Sequence, residues 1–175
     1  VGDITSGRGP CGDEWMEARK KQFGRFKAPF VLLPGDNDWT DCHRSGMDPR
    51  ERLENWRRLF CVPVALEGFV RQRRYCENVR WIADNRVFVG LNVQGSNNNL
   101  NQDPAEMGER MPEVYAWLEE AANLARDRDG LVVLMQANPF LKPRLGGANG
   151  FDGILEKLRE LGRVMPGRVL LVNGD

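Results

Sequence analysis

The sequence predicts one α/β domain, a largely buried sheet with helices against it and a row of polar loops along one edge. Three observations carry that expectation. The chain has 175 residues, 41% hydrophobic and 29% charged, enough apolar material for a single core. Apolar runs of strand length alternate with segments of helical period. Loops of Asp, Asn and Gly follow the strand-like segments, at Gly2-Asp3, Gly35-Asp36-Asn37-Asp38, Gln136-Ala137-Asn138-Pro139 and Asn173-Gly174-Asp175.

The expected strands are Phe30-Val31-Leu32-Leu33, Val87-Phe88-Val89-Gly90-Leu91, Leu131-Val132-Val133-Leu134-Met135 and Val169-Leu170-Leu171-Val172. Each is continuously apolar, the pattern of a strand buried on both faces. Asp13 to Lys27 is expected to form an amphipathic helix. Asp48-Pro49-Arg50-Glu51 opens a second with an N-cap, a proline in the first turn and a glutamate three residues after the cap, running to about Phe60. A third is expected from Pro112, where Val114, Trp117, Leu118, Ala121, Ala122 and Ala125 recur at three-to-four spacing. A fourth covers about Phe151 to Leu161. No repeat or linker divides the chain, so residues 1–175 are expected to be one domain.

Twenty-five basic residues balance twenty-five acidic ones, so no net field draws the chain to nucleic acid or to an anionic membrane. No apolar run approaches the roughly 18 residues that a bilayer-spanning helix needs. The segment from Arg44 to Arg86 is rich in arginine and reads either as a solvated surface or as a rim that attracts an anionic substrate. Cys11, Cys42, Cys61 and Cys76 include no C-x-x-C pair, and His43 is the single histidine, a poor set for structural zinc. The cysteines fit either the disulfides of an exported protein or the buried thiols of a cytosolic one. The chain opens on Val1 rather than Met and closes on Asp175, and both ends are expected to be cut from something longer.

In open α/β sheets the carboxyl ends of neighbouring strands share one edge, and ligand sites collect there. Asp and Asn oxygens meeting at such an edge suit a hard divalent cation.

The order Val1-Gly2-Asp3 with Gly7, then Pro34-Gly35-Asp36-Asn37-Asp38-Trp39-Thr40-Asp41-Cys42-His43-Arg44, then Gly95-Ser96-Asn97-Asn98-Asn99, then Gln136-Ala137-Asn138-Pro139, then Gly174-Asp175 resembles a divergent branch of the calcineurin-like metallophosphoesterases. The resemblance implies an α/β/β/α sandwich, incomplete at both termini, whose two divalent metal ions help hydrolyse a phosphate ester. It places Asp3 as the carboxylate bridging the metals and Asp36 as a ligand of one of them. Asn37 stands where the family has a histidine that meets the substrate, and Asp38 where an acidic residue orients that histidine. Gln136 and Asn138 are the candidates for a ligand before Pro139, and Asp175 for one in the closing motif. Asn97, Asn98 and Asn99 would line the substrate pocket. The family's opening Asp-x-His would precede Val1, and a last histidine would follow Asp175.

The expected imidazoles have become Asp, Asn, Gln or Ala, which favours Mn, Mg or Fe over Zn. Asn37 cannot act as an imidazolium acid, so His43 stands as the substitute acid or as a brace for its loop. Arg44 would grip phosphate oxygens or form a surface ion pair. The partner implied is a small phosphorylated substrate, and the chain as it stands is expected to be a poor phosphatase for want of ligands. The alternative is a degenerate, inactive member of the same fold that binds or scaffolds. The resemblance also implies a Cys11–Cys42 bridge between adjacent loops, hence an exported or periplasmic setting. Cys61 and Cys76 carry no such argument.

Overall fold

The computed structural model describes residues 2–141 and 147–174; Asp175 lies outside them. Five strands form one mixed sheet in chain order: β1 (Val70–Arg71), β2 (Val79–Ala83), β3 (Arg86–Gly90), β4 (Gly130–Met135) and β5 (Val169–Asn173). β1, β2 and β3 pair antiparallel, while β3, β4 and β5 are parallel. The parallel pairs need long crossovers. Helices α3 (Pro104–Ala125) and α4 (Asp152–Val164) lie on those crossovers, following α1 (Asp13–Phe23) and α2 (Pro49–Phe60) in the chain.

Strand side chains alternate between faces. Val87, Val89, Leu131, Val133 and Met135 point to one side, where Val114, Trp117, Leu118 and Ala121 of α3 and Ile154 of α4 close a single core. The register puts Phe88, Val132 and Leu170 side by side on the other face, with Gly90, Leu134 and Val172 in the next row. That face opens toward β5, where Leu170 is 57% exposed.

Several elements differ from expectation. Phe30–Leu33 is no strand: it runs extended, bracketed by Pro29 and Pro34, which lack the N–H a ladder requires. Its apolarity serves packing instead, with Leu32 joining Met16, Trp56, Leu59 and Phe60 in a second core between α1 and α2. The helix from Asp13 ends at Phe23 rather than Lys27, closed by Gly24. The long helix begins at Pro104, eight residues before Pro112, because Asp103 caps it by accepting from the Glu106 N–H. Asp103-Pro104-Ala105-Glu106 repeats the signature of Asp48-Pro49-Arg50-Glu51, whose cap forms as expected. Pro112 is tolerated inside the helix at the loss of one backbone bond. β2 went unexpected because Arg80 interrupts its apolar run; Arg80 lies over the Trp117 ring and pairs with Glu120.

All four cysteines are bridged, Cys11 to Cys42 and Cys61 to Cys76, each with 5.8 Å between α-carbons. The first matches the pairing the resemblance implies. The second closes a loop in which Arg71 donates to the carbonyls of Phe60, Val62 and Cys76, so that arginine is a tie within the loop rather than part of a rim. Arg50, Arg52, Arg57 and Arg80 are likewise engaged by acidic partners.

Candidate functional site

The carboxyl ends of β3, β4 and β5 share one edge, as parallel pairing requires. Beyond them Leu91 donates to the Leu134 carbonyl, Ala137 to that of Val93 and Gly174 to that of Gln136. The loop after Gly2 and the 3-10 turns Asp36–Asp38 and Thr40–Ser45 join this edge. Their junction is Asp38, which is fully buried. Its carboxylate accepts from the N–H groups of Asp3 (3.1 Å), Ile4 (2.8 Å) and Gly35 (2.9 Å), tying two distant segments at one point.

Burial pushes the Asp38 carboxyl up to about 7, and the backbone donors at Gly35, Ile4 and Asp3 oppose the rise. A carboxyl raised in the folded state binds its proton more tightly there than in the unfolded chain. Its contribution to stability is therefore full below the ordinary value of 3.8 and is lost as pH rises through about 7. In the absence of divalent cations the protein is expected to lose stability between about pH 4 and about pH 7, and Asp38→Asn to flatten that slope. The asparagine leaves at least one backbone N–H facing an amide NH₂, so it should also cost about 1–3 kcal/mol at pH 8. Urea unfolding of both proteins across this range checks both effects.

Around that junction the polar side chains converge. The Gln136 Nε2 donates to Asp3 Oδ2 (2.8 Å) and to Asp36 Oδ1 (3.2 Å), while its Oε1 accepts from the Gly95 N–H at 2.6 Å. Asp3 Oδ1 accepts from the Asn37 N–H. The Ser96 hydroxyl lies 2.9 Å from both Asp36 Oδ2 and Asp41 Oδ1. It has one hydrogen for two carboxylates, so it can donate fully to only one of them at a time. Burial pushes the Asp41 carboxyl above its ordinary range, against the Ser96 hydrogen bond and the Arg44 charge. Glycine is required at two places here: a Cβ on Gly35 would strike the Asp3 carboxylate, and one on Gly95 the Asp36 carboxylate.

Residues Ser96, Asn97, Asn98 and Asn99 all have positive φ, between 48° and 68°, a left-handed turn of four L residues that is costly unless its surroundings hold it. Arg110 of α3, fully buried, provides that hold. It donates to the Asn98 carbonyl (3.2 Å), to Asn98 Oδ1 (3.0 Å) and to the Asn92 carbonyl (2.7 Å), and pairs with Glu106 at 2.6 Å. Glu106 also accepts from Asn99 Nδ2. This turn sets Gly95 and Ser96 against Asp36, Asp41 and Gln136.

Comparison with family models, with curated proteins and with solved structures finds no match to this chain. Among the described residues, no three His, Cys, Asp or Glu side chains are grouped so as to hold a metal ion.

Asp3, Asp36 and Gln136 are brought together, with Gln136 meeting the two carboxylates as a donor and not through its oxygen. Asn138 is apart from them, its Oδ1 accepting from the Phe140 N–H. Asn37 turns its amide toward the Thr5 carbonyl. His43 is exposed, with Nδ1 2.7 Å from the Thr40 carbonyl. Arg44 uses Nη1 for both Asp41 (2.6 Å) and the Gly7 carbonyl (3.0 Å). Asn97 bonds Gly150 and Ala148, Asn98 bonds Gly150, and Asn99 bonds Glu106, so all three are engaged within the chain. Trp39 is fully buried beneath Arg110. Sequence reasoning missed Asp41, Ser96, Glu106 and Arg110. Asp41 lay inside the block from Pro34 to Arg44, five residues after Asp36, which is a signal that it shares the loop. Nothing local marks Arg110.

Proposed function

We propose that this edge is a centre for metal-assisted hydrolysis of a phosphate monoester or diester, within a metallophosphoesterase-like sandwich. The observation that carries the reading is the single Gln136 amide nitrogen shared by Asp3 and Asp36: two carboxylates from distant segments aim at one point, where a positive charge is welcome. The donors are oxygens only, which fits a hard divalent cation. Asp3 and Asp36 would hold it, and Asp41 would be linked to them through Ser96. A bound divalent cation supplies charge for the phosphate oxygens and a water of lowered pKa. Among the described residues Arg44 is engaged through Nη1, and Nη2 would bind a phosphate oxygen. Donation from His43 Nδ1 to the Thr40 carbonyl leaves Nε2 as the atom that exchanges protons. The sandwich is supported by the open sheet face at Leu170 and Val172, the surface a second sheet would cover.

A second reading, a binding module that keeps the fold without catalysis, is favoured by the absence of a three-ligand group among the described residues. Calorimetric titration with Mn²⁺, paired with hydrolysis of p-nitrophenyl phosphate, separates the two. The enzyme reading expects Mn²⁺ binding that drops by at least about tenfold in Asp3→Asn and in Asp36→Asn, since each removes one of two carboxylates. Wild-type protein that binds no Mn²⁺ and hydrolyses no ester supports the module.

A further inference from the structure

Charge balance over the whole chain conceals a local imbalance. Between Ala18 and Gly35 there are five basic residues, Arg19, Lys20, Lys21, Arg25 and Lys27, and no Asp or Glu. Arg19 lies over the Trp15 ring. None of the other four makes an ion pair among the described residues, whereas most arginines of α2 do. Lys20 and Lys21 lie in the last turn of α1, and the loop that follows is exposed throughout, from Gly24 to Phe30.

Aromatic rings occupy the same surface. Phe26 is 59% exposed and Phe30 37%, and the rings of Phe23, Phe26 and Phe30 lie 4.8–6.4 Å apart. Together with Leu59, Val62 and Val64 they line an apolar groove of about 330 Å³. Leaving Phe26 in water is unfavourable by its apolar area, and nothing in the fold requires it.

From this pairing of solvent-facing phenylalanines with unpaired cations, we propose that the Gly24–Phe30 loop docks the protein on the surface of an anionic lipid bilayer. Phe26 and Phe30 enter the boundary between headgroups and acyl chains, and Lys20, Lys21, Arg25 and Lys27 meet the lipid phosphates. Phe26 lies between Arg25 and Lys27 in the chain, and residues 24–30 are all exposed, so rings and cations share one surface. A bilayer offers anionic phosphates beside an apolar boundary, and so complements both the cations and the exposed rings. The inference is independent of the phosphoesterase reading.

The test is flotation with vesicles of phosphatidylcholine alone and with about one-third phosphatidylglycerol, at about 0.15 M salt. Wild-type protein is expected to float with the anionic vesicles and not with the neutral ones. The double change F26S/F30S, and separately K20E/K21E/R25E/K27E, should each lower partitioning by about tenfold or more. All altered side chains are exposed or line the groove, and unchanged near-ultraviolet circular dichroism confirms that each variant is folded. Wild-type protein that stays off anionic vesicles overturns the proposal, as do variants that bind like wild type. Binding of a phenylalanine peptide flanked by glutamates, without vesicle binding, overturns it in favour of a protein partner.

Discussion

Replacing Cys11 and Cys42 by serine is expected to lower the unfolding free energy by about 3–4 kcal/mol. The bridge spans 31 residues, and cross-linking a loop of that length removes much of the unfolded chain's freedom. Its removal also acts on the edge. Cys42 sits in the Thr40–Ser45 turn between Asp41 and Arg44, so the bridge anchors that turn to the N-terminal loop. Urea unfolding of the double serine variant against the oxidised wild type measures the first effect. Hydrogen exchange over residues 40–45 measures the second, and protection there should fall further than in α3. A variant as stable as wild type would show that the buried contacts of Asp38 alone hold the two loops together. Loss of the Cys61–Cys76 bridge, whose span is 15 residues, should cost about 3 kcal/mol and leave the edge in place, because Arg71 ties that loop to the C-terminal end of α2 through the Phe60 and Val62 carbonyls.

Arg110→Ala is expected to be the most damaging single substitution outside the hydrophobic core, at about 3–5 kcal/mol. It strips the partner from Glu106, which is itself 6% exposed, and abandons the Asn92 and Asn98 carbonyls. A buried carboxylate without its cation is worse than no pair at all, so E106Q/R110M should be less damaging than R110A. The left-handed turn gives this prediction a local readout. With Arg110 gone, the amides of residues 96–99 should lose protection beyond the global change, and any Mn²⁺ affinity measured at Asp3 and Asp36 should weaken although neither residue contacts Arg110. Equal losses in the single and double variants would show that Glu106 tolerates isolation.

The continuous apolar runs at β3 and β4 were legible because strands buried on both faces cannot hide their composition, whereas β5 carries the same kind of run with Leu170 and Val172 exposed. Phe30–Leu33 carries the same signal and is not a strand, since composition reports burial and the flanking prolines decide pairing. β2 shows the converse: a strand with a cation on its helix side reads as a polar segment until α3 is there to receive Arg80. At the edge, Asp3, Asp36 and Gln136 were legible because each follows a Gly or a strand end. Ser96 and Asp41 needed the fold, as their link spans 55 residues. Arg110 needed it more. In sequence it is one more arginine on a helix, and its role depends on carbonyls made available only by a turn of the opposite hand. The Cys61–Cys76 pairing was likewise invisible until Arg71 and the carbonyls around it were in place.

That mirror-image turn also says how kin of this chain should be recognised after most other positions have drifted. Residues 96–99 admit an alphabet of Gly, Asn, Asp and Ser, and exclude the β-branched side chains that cannot enter left-handed space at tolerable cost. The hold on them is written in the same chain: an arginine twelve residues after Asn98, with a glutamate one helical turn before it. A buried strand, four small or amide residues, then that Glu and Arg four apart form a fingerprint of about 25 positions. It is set by handedness and charge compensation rather than by overall identity. Descendants that change the arginine are expected to change the turn with it, most simply by placing glycine at Asn97 or Asn98, where a left-handed backbone needs no support.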